Sequence, residues 1–174
     1  MSAERGLRLT LARHGRAEDK APGQTDFERS LDRRGVAEVA GMARRWLETG
    51  VRPDILVASA ARRTTQTAAA FARVLGVPAH QVREARELYL ASAETLLETV
   101  RATEASVHHL MVVGHNPGLV ELAQLLAPRA RPEGFETAAT SPMRLDARDW
   151  SAARAGAARD LQYDSPARYY DLWS

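Results

Sequence analysis

The sequence predicts a single-domain α/β protein with a doubly wound, mostly parallel central sheet and helices on both faces. Three observations lead there. Continuous apolar runs at residues 55–58 and 110–113 have the character of strands buried on both sides. Each is followed by a helical apolar period. Strand and helix signals alternate along the chain without a repeat or a linker, and 174 residues suit one domain with a substantial core, so 1–174 is read as one unit.

Taken in order, the first strand signal lies at residues 7–11, where Leu7, Leu9 and Leu11 occupy one face and Arg8 and Thr10 the other. The alternation stops at Arg13-His14-Gly15, where Gly15 permits a turn that a Cβ would resist. Residues 16–30 read as a loop, and loops of about fifteen residues in compact domains are often functional. The next helix has Asp32 as its N-cap, an apolar stripe of Val36, Val39, Ala40, Ala43 and Leu47, a solvated face of Arg44, Arg45 and Glu48, and a stop at Gly50. The strand at 55–58 ends at Ser59, and an Ala-rich helix runs from near Arg62 through Leu75 to Gly76. Residues 77–87 connect, with room for a short strand, to a helix capped by Ser92 that carries Leu96, Leu97 and Val100. The strand at 110–113 is broken by Gly114-His115-Asn116-Pro117-Gly118, in which Asn116 suits an N-cap and Pro117 the first helical position. Leu119, Leu122, Ala123 and Leu126 form the stripe of that helix, which ends by Pro128. Weaker strand signals occupy 135–139 and 143–146, and the tail aromatics Tyr169, Tyr170 and Trp173 read as packing.

Composition narrows the classes of function. Hydrophobic residues at 45% and charged residues at 26% are ordinary for a soluble globular protein. The absence of cysteine excludes disulfides, thiolate catalysis and Cys-ligated metals. Neither a signal peptide nor a membrane span is apparent, so a cytoplasmic protein is expected. Arginine supplies nearly all the basic charge, Lys20 being the single lysine. The arginines are interspersed with 22 acids and form no basic run, which argues against a nucleic-acid partner.

In open α/β sheets ligands bind at the carboxyl ends of the strands. Three such ends carry Arg13-His14, Ser59 to Arg63, and His115. Arginine is disfavoured in the first turn of a helix, so Arg62-Arg63 make sense if an anion lies between them and the helix amides, one facing the site and the other solvent. Two histidines and several arginines suit phosphoryl transfer, in which positioning and electrostatic stabilisation dominate. A neutral His14 is placed to attack phosphorus, Arg13 and Arg63 to clamp its oxygens, and a protonated His115 to donate to a third. Fixed cations then leave no role for a metal or cofactor, and none is expected. His108 and His109 point to opposite faces of any strand and make no metal site with His115; His80 reads as a solvated loop residue.

Four stretches carry a resemblance to the histidine phosphatase superfamily, and within it to SixA-type phosphohistidine phosphatases. They are residues 11–15 (Leu-Ala-Arg-His-Gly), residues 26–35 (from Asp26 through Arg29 to Gly35), residues 59–68 (from Ser59 through Arg63 and Gln66-Thr67 to Ala68) and residues 113–117 (Val-Gly-His-Asn-Pro), with a weaker match at Phe135-Glu136-Thr137. The resemblance implies that His14 accepts the phosphoryl group, that Arg13 and Arg63 bind it, that His115 is the second catalytic histidine, and that Arg62 faces solvent. Asp26 and Arg29 match a pair in the SixA-type loop; with Ser59 and Asn116 they are candidate substrate-binding residues. A salt bridge that merely pins the loop is the alternative role for Asp26 and Arg29.

Two departures from the family pattern stand out. Ala60 replaces the usual proline after Ser59. The position where most family members carry an acidic proton donor falls at Leu90, with Glu84, Glu87 and Asp26 as other candidates for that role. An alkoxide leaving group wants a general acid. A phosphoimidazole protonated on its other nitrogen leaves as neutral imidazole, whose conjugate acid has a pKa of about 6.5. The expectation is therefore a metal-independent phosphatase acting on phosphohistidine in a signalling or phosphotransfer protein, through a covalent phosphohistidine on His14. A phosphomonoesterase for small phosphorylated metabolites is the alternative within the class, and a non-catalytic phospho-ligand or protein-interaction module the alternative outside it.

Overall fold

The computed structural model describes residues 6–130 and 132–169. Six strands, β1 (Leu7–Arg13), β2 (Ile55–Ser59), β3 (Val82–Ala85), β4 (His109–Gly114), β5 (Thr140–Leu145) and β6 (Ala158–Arg159), form one sheet in the order β3-β2-β4-β1-β5-β6. β3, β2, β4 and β1 run parallel, β5 pairs antiparallel with β1, and β6 pairs antiparallel with β5. Helices α1 (Arg33–Glu48) and α2 (Arg62–Leu75) cover one face, and α3 (Ala93–Arg101) and α4 (Gly118–Leu126) cover the other.

β1 is buried on both faces. Leu9 and Leu11 pack with Leu96, Leu119 and Leu122 under α3 and α4, whereas Ala12 faces Val39, Met42 and Phe71 under α1 and α2. Thr10, expected on a polar face, is completely buried, and its hydroxyl lies 2.9 Å from His109 Nε2. His109 Nδ1 meets the Arg52 carbonyl at 3.2 Å, so this histidine is a satisfied core residue. No group of three or more His, Cys, Asp or Glu side chains placed to hold a metal occurs among the described residues, and no helix there is long and apolar enough to cross a membrane.

Asp32 caps α1 by accepting from the Gly35 amide at 2.6 Å. The buried stripe of α1 is rotated from the expected one. Gly35, Val39, Met42 and Trp46 face inward, at i, i+4, i+7 and i+11, while Val36 and Leu47 are about half exposed. Gly35 sets this phase: a Cβ there would lie 2.1 Å from the Arg16 carbonyl oxygen. Arg45, expected in solvent, is partly covered and reaches Asp164 and Tyr169. Of the tail aromatics, Tyr169 packs on the Arg45 guanidinium, and Tyr170 and Trp173 lie outside the described residues.

Two other expectations change. Residues 135–139 are not a strand but a loop folded over the end of β1, with Ala138 in the left-handed region (φ 61°) and its amide bonded to the His14 carbonyl. Asn116 does not cap α4, which begins two residues later at Gly118; its side chain crosses instead to the Phe135 carbonyl at 2.9 Å.

Candidate active site

The parallel order of β2, β4 and β1 brings Ser59, His115 and Arg13-His14 to one edge. The His14 amide donates to Gly114 at the end of β4, and the Gly15 amide donates to the Thr67 hydroxyl at 3.0 Å. That hydroxyl donates in turn to the Arg63 carbonyl at 2.7 Å, joining the turn after β1 to the first turns of α2. Gly15 serves close packing rather than an unusual turn: a Cβ would stand 2.6 Å from Val39 Cγ2.

Hydrogen-bond partners assign both imidazoles. His14 Nδ1 lies 2.8 Å from the Gly15 carbonyl, which can only accept, so Nδ1 carries the proton and Nε2 the lone pair. His115 has the opposite tautomer. Arg63 Nη2, which can only donate, lies 3.4 Å from its Nδ1, and Nε2–H donates to Ser59 Oγ at 2.8 Å. Burial first, and then His115, Arg63 and Arg13, lower the His14 pKa to about 3. Burial, followed by Arg63, lowers that of His115 to about 4. Both rings are therefore neutral at pH 7. With the protein's own neighbours alone, a second cation beside Arg63 is disfavoured.

Arg63 is the hub. It is only 4% exposed, whereas Arg62 beside it is exposed. Its Nε lies 3.3 Å from His14 Nε2, Nη1 donates to the Asp26 carbonyl at 2.6 Å, and Nη2 donates to Asp26 Oδ2 at 2.9 Å. Asp26 also receives Tyr89 OH on Oδ2 at 2.6 Å and Arg29 Nη1 on Oδ1 at 2.9 Å. Tyr89, Arg29 and Arg63 together hold its carboxyl well below the usual range. Arg29 Nε is tied to the Glu18 carbonyl at 2.8 Å, so this pair also fastens the loop after β1.

A cleft of about 380 Å³ opens over these groups. Arg13, His14, Arg63, His115, Asp26 and Asn116 line it together with Arg16, Ala17, Arg29, Leu90 and Thr137. Arg13 is oriented by the Phe135 carbonyl at 2.7 Å, the same oxygen that holds Asn116. Ser59 stands behind His115 rather than in the cleft. Glu84 and Glu87 are exposed and lie outside the cleft, together lining a groove over α3, with Glu84 also beside Phe27 and Arg62. Leu90, in the cleft lining, has a left-handed conformation (φ 49°). Tyr89 escaped the sequence reading; its partner Asp26 is 63 residues away, and no local pattern marks it.

Comparison with known proteins agrees with this arrangement. The family model for the histidine phosphatase superfamily (branch 1) matches residues 9–132. The Mycobacterium tuberculosis protein Rv1276c of strain H37Rv, with its counterpart MT1313 in strain CDC 1551, is 37% identical over 106 residues. That match takes in 60% of this chain, and the chain spans 63% of the length of these relatives. Among solved structures, a candidate phosphohistidine phosphatase SixA from Agrobacterium tumefaciens is similar with TM-score 0.77 and 29% identity, over 92% of this chain and 99% of that one. The protein histidine phosphatase SixA complexed with tungstate has the same fold, with TM-score 0.80, 23% identity and coverage of 93% and 99%. So does the mycobacterial glucosyl-3-phosphoglycerate phosphatase Rv2419c, with TM-score 0.63, 17% identity and coverage of 92% and 98%. The family match spans well over half of the chain, which belongs to the histidine phosphatase superfamily (branch 1).

Proposed function

We propose that the chain is a phosphatase that hydrolyses phosphohistidine on a signalling or phosphotransfer protein, with His14 as the covalent carrier. The phosphoryl group enters between the two histidines, where its oxygens take over the Arg63 donors now directed at His14 Nε2 and His115 Nδ1; Arg13 takes a further oxygen. The incoming dianion raises the affinity of His115 for a proton, which then sits on Nδ1 and donates to the phosphoryl group. His14 Nε2 attacks phosphorus as the substrate nitrogen departs with its electron pair, as a neutral imidazole that kept its other proton. The Gly15 carbonyl keeps Nδ1–H on phospho-His14, so His14 is a similarly good leaving group in the second step. Water then attacks phosphorus, His14 Nε2 recovers its lone pair, and inorganic phosphate is released.

The observation that carries the choice of substrate is the character of the cleft's acids. Among the described residues Asp26 is the only carboxyl lining it, and three donors hold that group ionised. No carboxyl there is suited to protonating an alkoxide, whereas a phosphoimidazole needs no proton as it leaves. The test is phosphate release from a phosphohistidine-bearing phosphotransfer protein, compared with a sugar phosphate and with the His14→Ala variant. The reading expects release from the protein alone, abolished in His14→Ala. Faster turnover of the sugar phosphate would replace it with the metabolite phosphatase, and phosphate binding without turnover of either would leave a binding module.

A further inference from the structure

A guanidinium can grip an anion with two different pairs of donors: the end-on pair Nη1/Nη2, or the side-on pair Nε/Nη2. In Arg63 the end-on pair is already engaged by Asp26, whose carbonyl takes Nη1 at 2.6 Å and whose Oδ2 takes Nη2 at 2.9 Å. The side-on pair looks the other way, Nε toward His14 Nε2 at 3.3 Å and the second Nη2 proton toward His115 Nδ1 at 3.4 Å. The two contacts to Asp26 are short and the two to imidazole are long, so an arriving anion displaces the latter. Asp26 is itself immobilised. Arg29 holds Oδ1, and Tyr89 holds Oδ2 at 2.6 Å while its ring packs edge-on against both Phe27 and His115.

We infer that Asp26, locked by Tyr89, is a positioning residue that directs the Nε/Nη2 edge of Arg63 onto the phosphoryl site between His14 and His115. Asp26 thus neither binds the substrate nor supplies a proton; it decides which face of the arginine the substrate meets. This rests on the proposed phosphoryl site and adds to it a reason for an acidic residue in a pocket meant for anions. Taken as a charge alone, a carboxylate 2.9 Å from the principal anion clamp weakens phosphate binding by competition. Taken as a positioning group, it strengthens binding, because a free guanidinium loses its fixed edge.

The sign of one substitution separates the two. Calorimetric binding of inorganic phosphate to the full chain is measured for the wild type, Asp26→Asn, Tyr89→Phe, Arg63→Lys and the Asp26→Asn/Arg63→Lys pair, with thermal unfolding as a check on folding. The inference expects phosphate affinity to fall about ten-fold in Asp26→Asn and about three-fold in Tyr89→Phe. It also expects Asp26→Asn to have no added effect once Arg63 is lysine, which has no edge to direct. If Asp26→Asn does not fold, Tyr89→Phe, which removes a single hydroxyl, decides alone. Affinity that is unchanged or tighter in a folded Asp26→Asn, or in Tyr89→Phe if that variant must decide, overturns the positioning role and leaves the phosphoryl site standing. A wild type that binds no phosphate overturns both.

Discussion

Ser59→Ala tests the tautomer of His115, on which the order of donors in the cleft depends. Ser59 is fully buried, and its Oγ accepts the His115 Nε2 proton at 2.8 Å. Deleting it leaves a buried N–H without an acceptor, at a cost of about 1–3 kcal/mol. The ring can escape by moving its proton to Nδ1, but that nitrogen faces Arg63 Nη2 at 3.4 Å, and two donors would then oppose each other. Either way His115 and Arg63 lose their mutual placement. Expressed in the transition state, the same energy is roughly a ten- to hundred-fold loss in turnover. Single-turnover phosphate release measures it, Ser59→Thr keeps the hydroxyl and is expected to retain most of the rate, and the ¹⁵N shifts of His115 report the tautomer directly. Wild-type turnover in Ser59→Ala, or ¹⁵N shifts placing the proton on Nδ1 in the wild type, would refute the assignment.

Two further outcomes are expected. Gly15→Ala places a methyl 2.6 Å from Val39 Cγ2; overpacking of this kind costs about 1–3 kcal/mol and lowers the melting midpoint by roughly 2–10 °C. Adding Val39→Ala should recover part of that loss, and no recovery would mean that the clash lies elsewhere. Stability should also decline with acid in a defined window. Burial lowers the folded pKa of His109 to about 4 and of His14 to about 3, against about 6.5 unfolded. Groups with depressed folded values contribute fully above pH 6.5 and lose that contribution as the pH falls toward 4, because the unfolded chain then binds more protons. For His109 the whole effect amounts to about 3 kcal/mol. Urea midpoints from pH 7.5 to 4.5 should therefore fall, with a shallower slope in His109→Asn, and an equal slope in both proteins would count against a neutral, buried His109.

The parallel strands and the four residues that meet at the centre of the candidate site were legible because each carries a local mark. β2 and β4 are unbroken apolar runs, and Arg13, His14, Arg63 and His115 stand directly where such runs or their helices begin or end. What escaped depends on contacts remote in sequence. The phase of α1 could not be read from Val36 and Leu47, since it is fixed by Gly35 closing on the Arg16 backbone. Thr10 reads as polar surface until His109 is placed opposite it. Residues 135–139 have strand-like composition, yet the Phe135 carbonyl is taken by two side chains from other segments. Tyr89 shows its role only once the loop bearing Asp26 is folded against it.

The bridge through Thr67 has a wider consequence. One hydroxyl fastens the turn that bears His14 to the helix that bears Arg63, so the proposed nucleophile and clamp share a frame built from sheet, helix and a single oxygen. Leu90 and Arg29, which line the cleft, belong instead to the connections at residues 17–30 and 86–90; Tyr89 ties the second to Asp26 of the first, and Asp26 ties both to Arg63. The proposed chemistry thus rests on a chassis, and its selectivity on fittings bolted onto it. On the proposed function, changes at cleft positions outside the Asp26–Tyr89–Arg63 set, such as Leu90, can alter which phosphorylated partner is accepted while the Thr67 bridge still holds the His14 turn to the Arg63 helix.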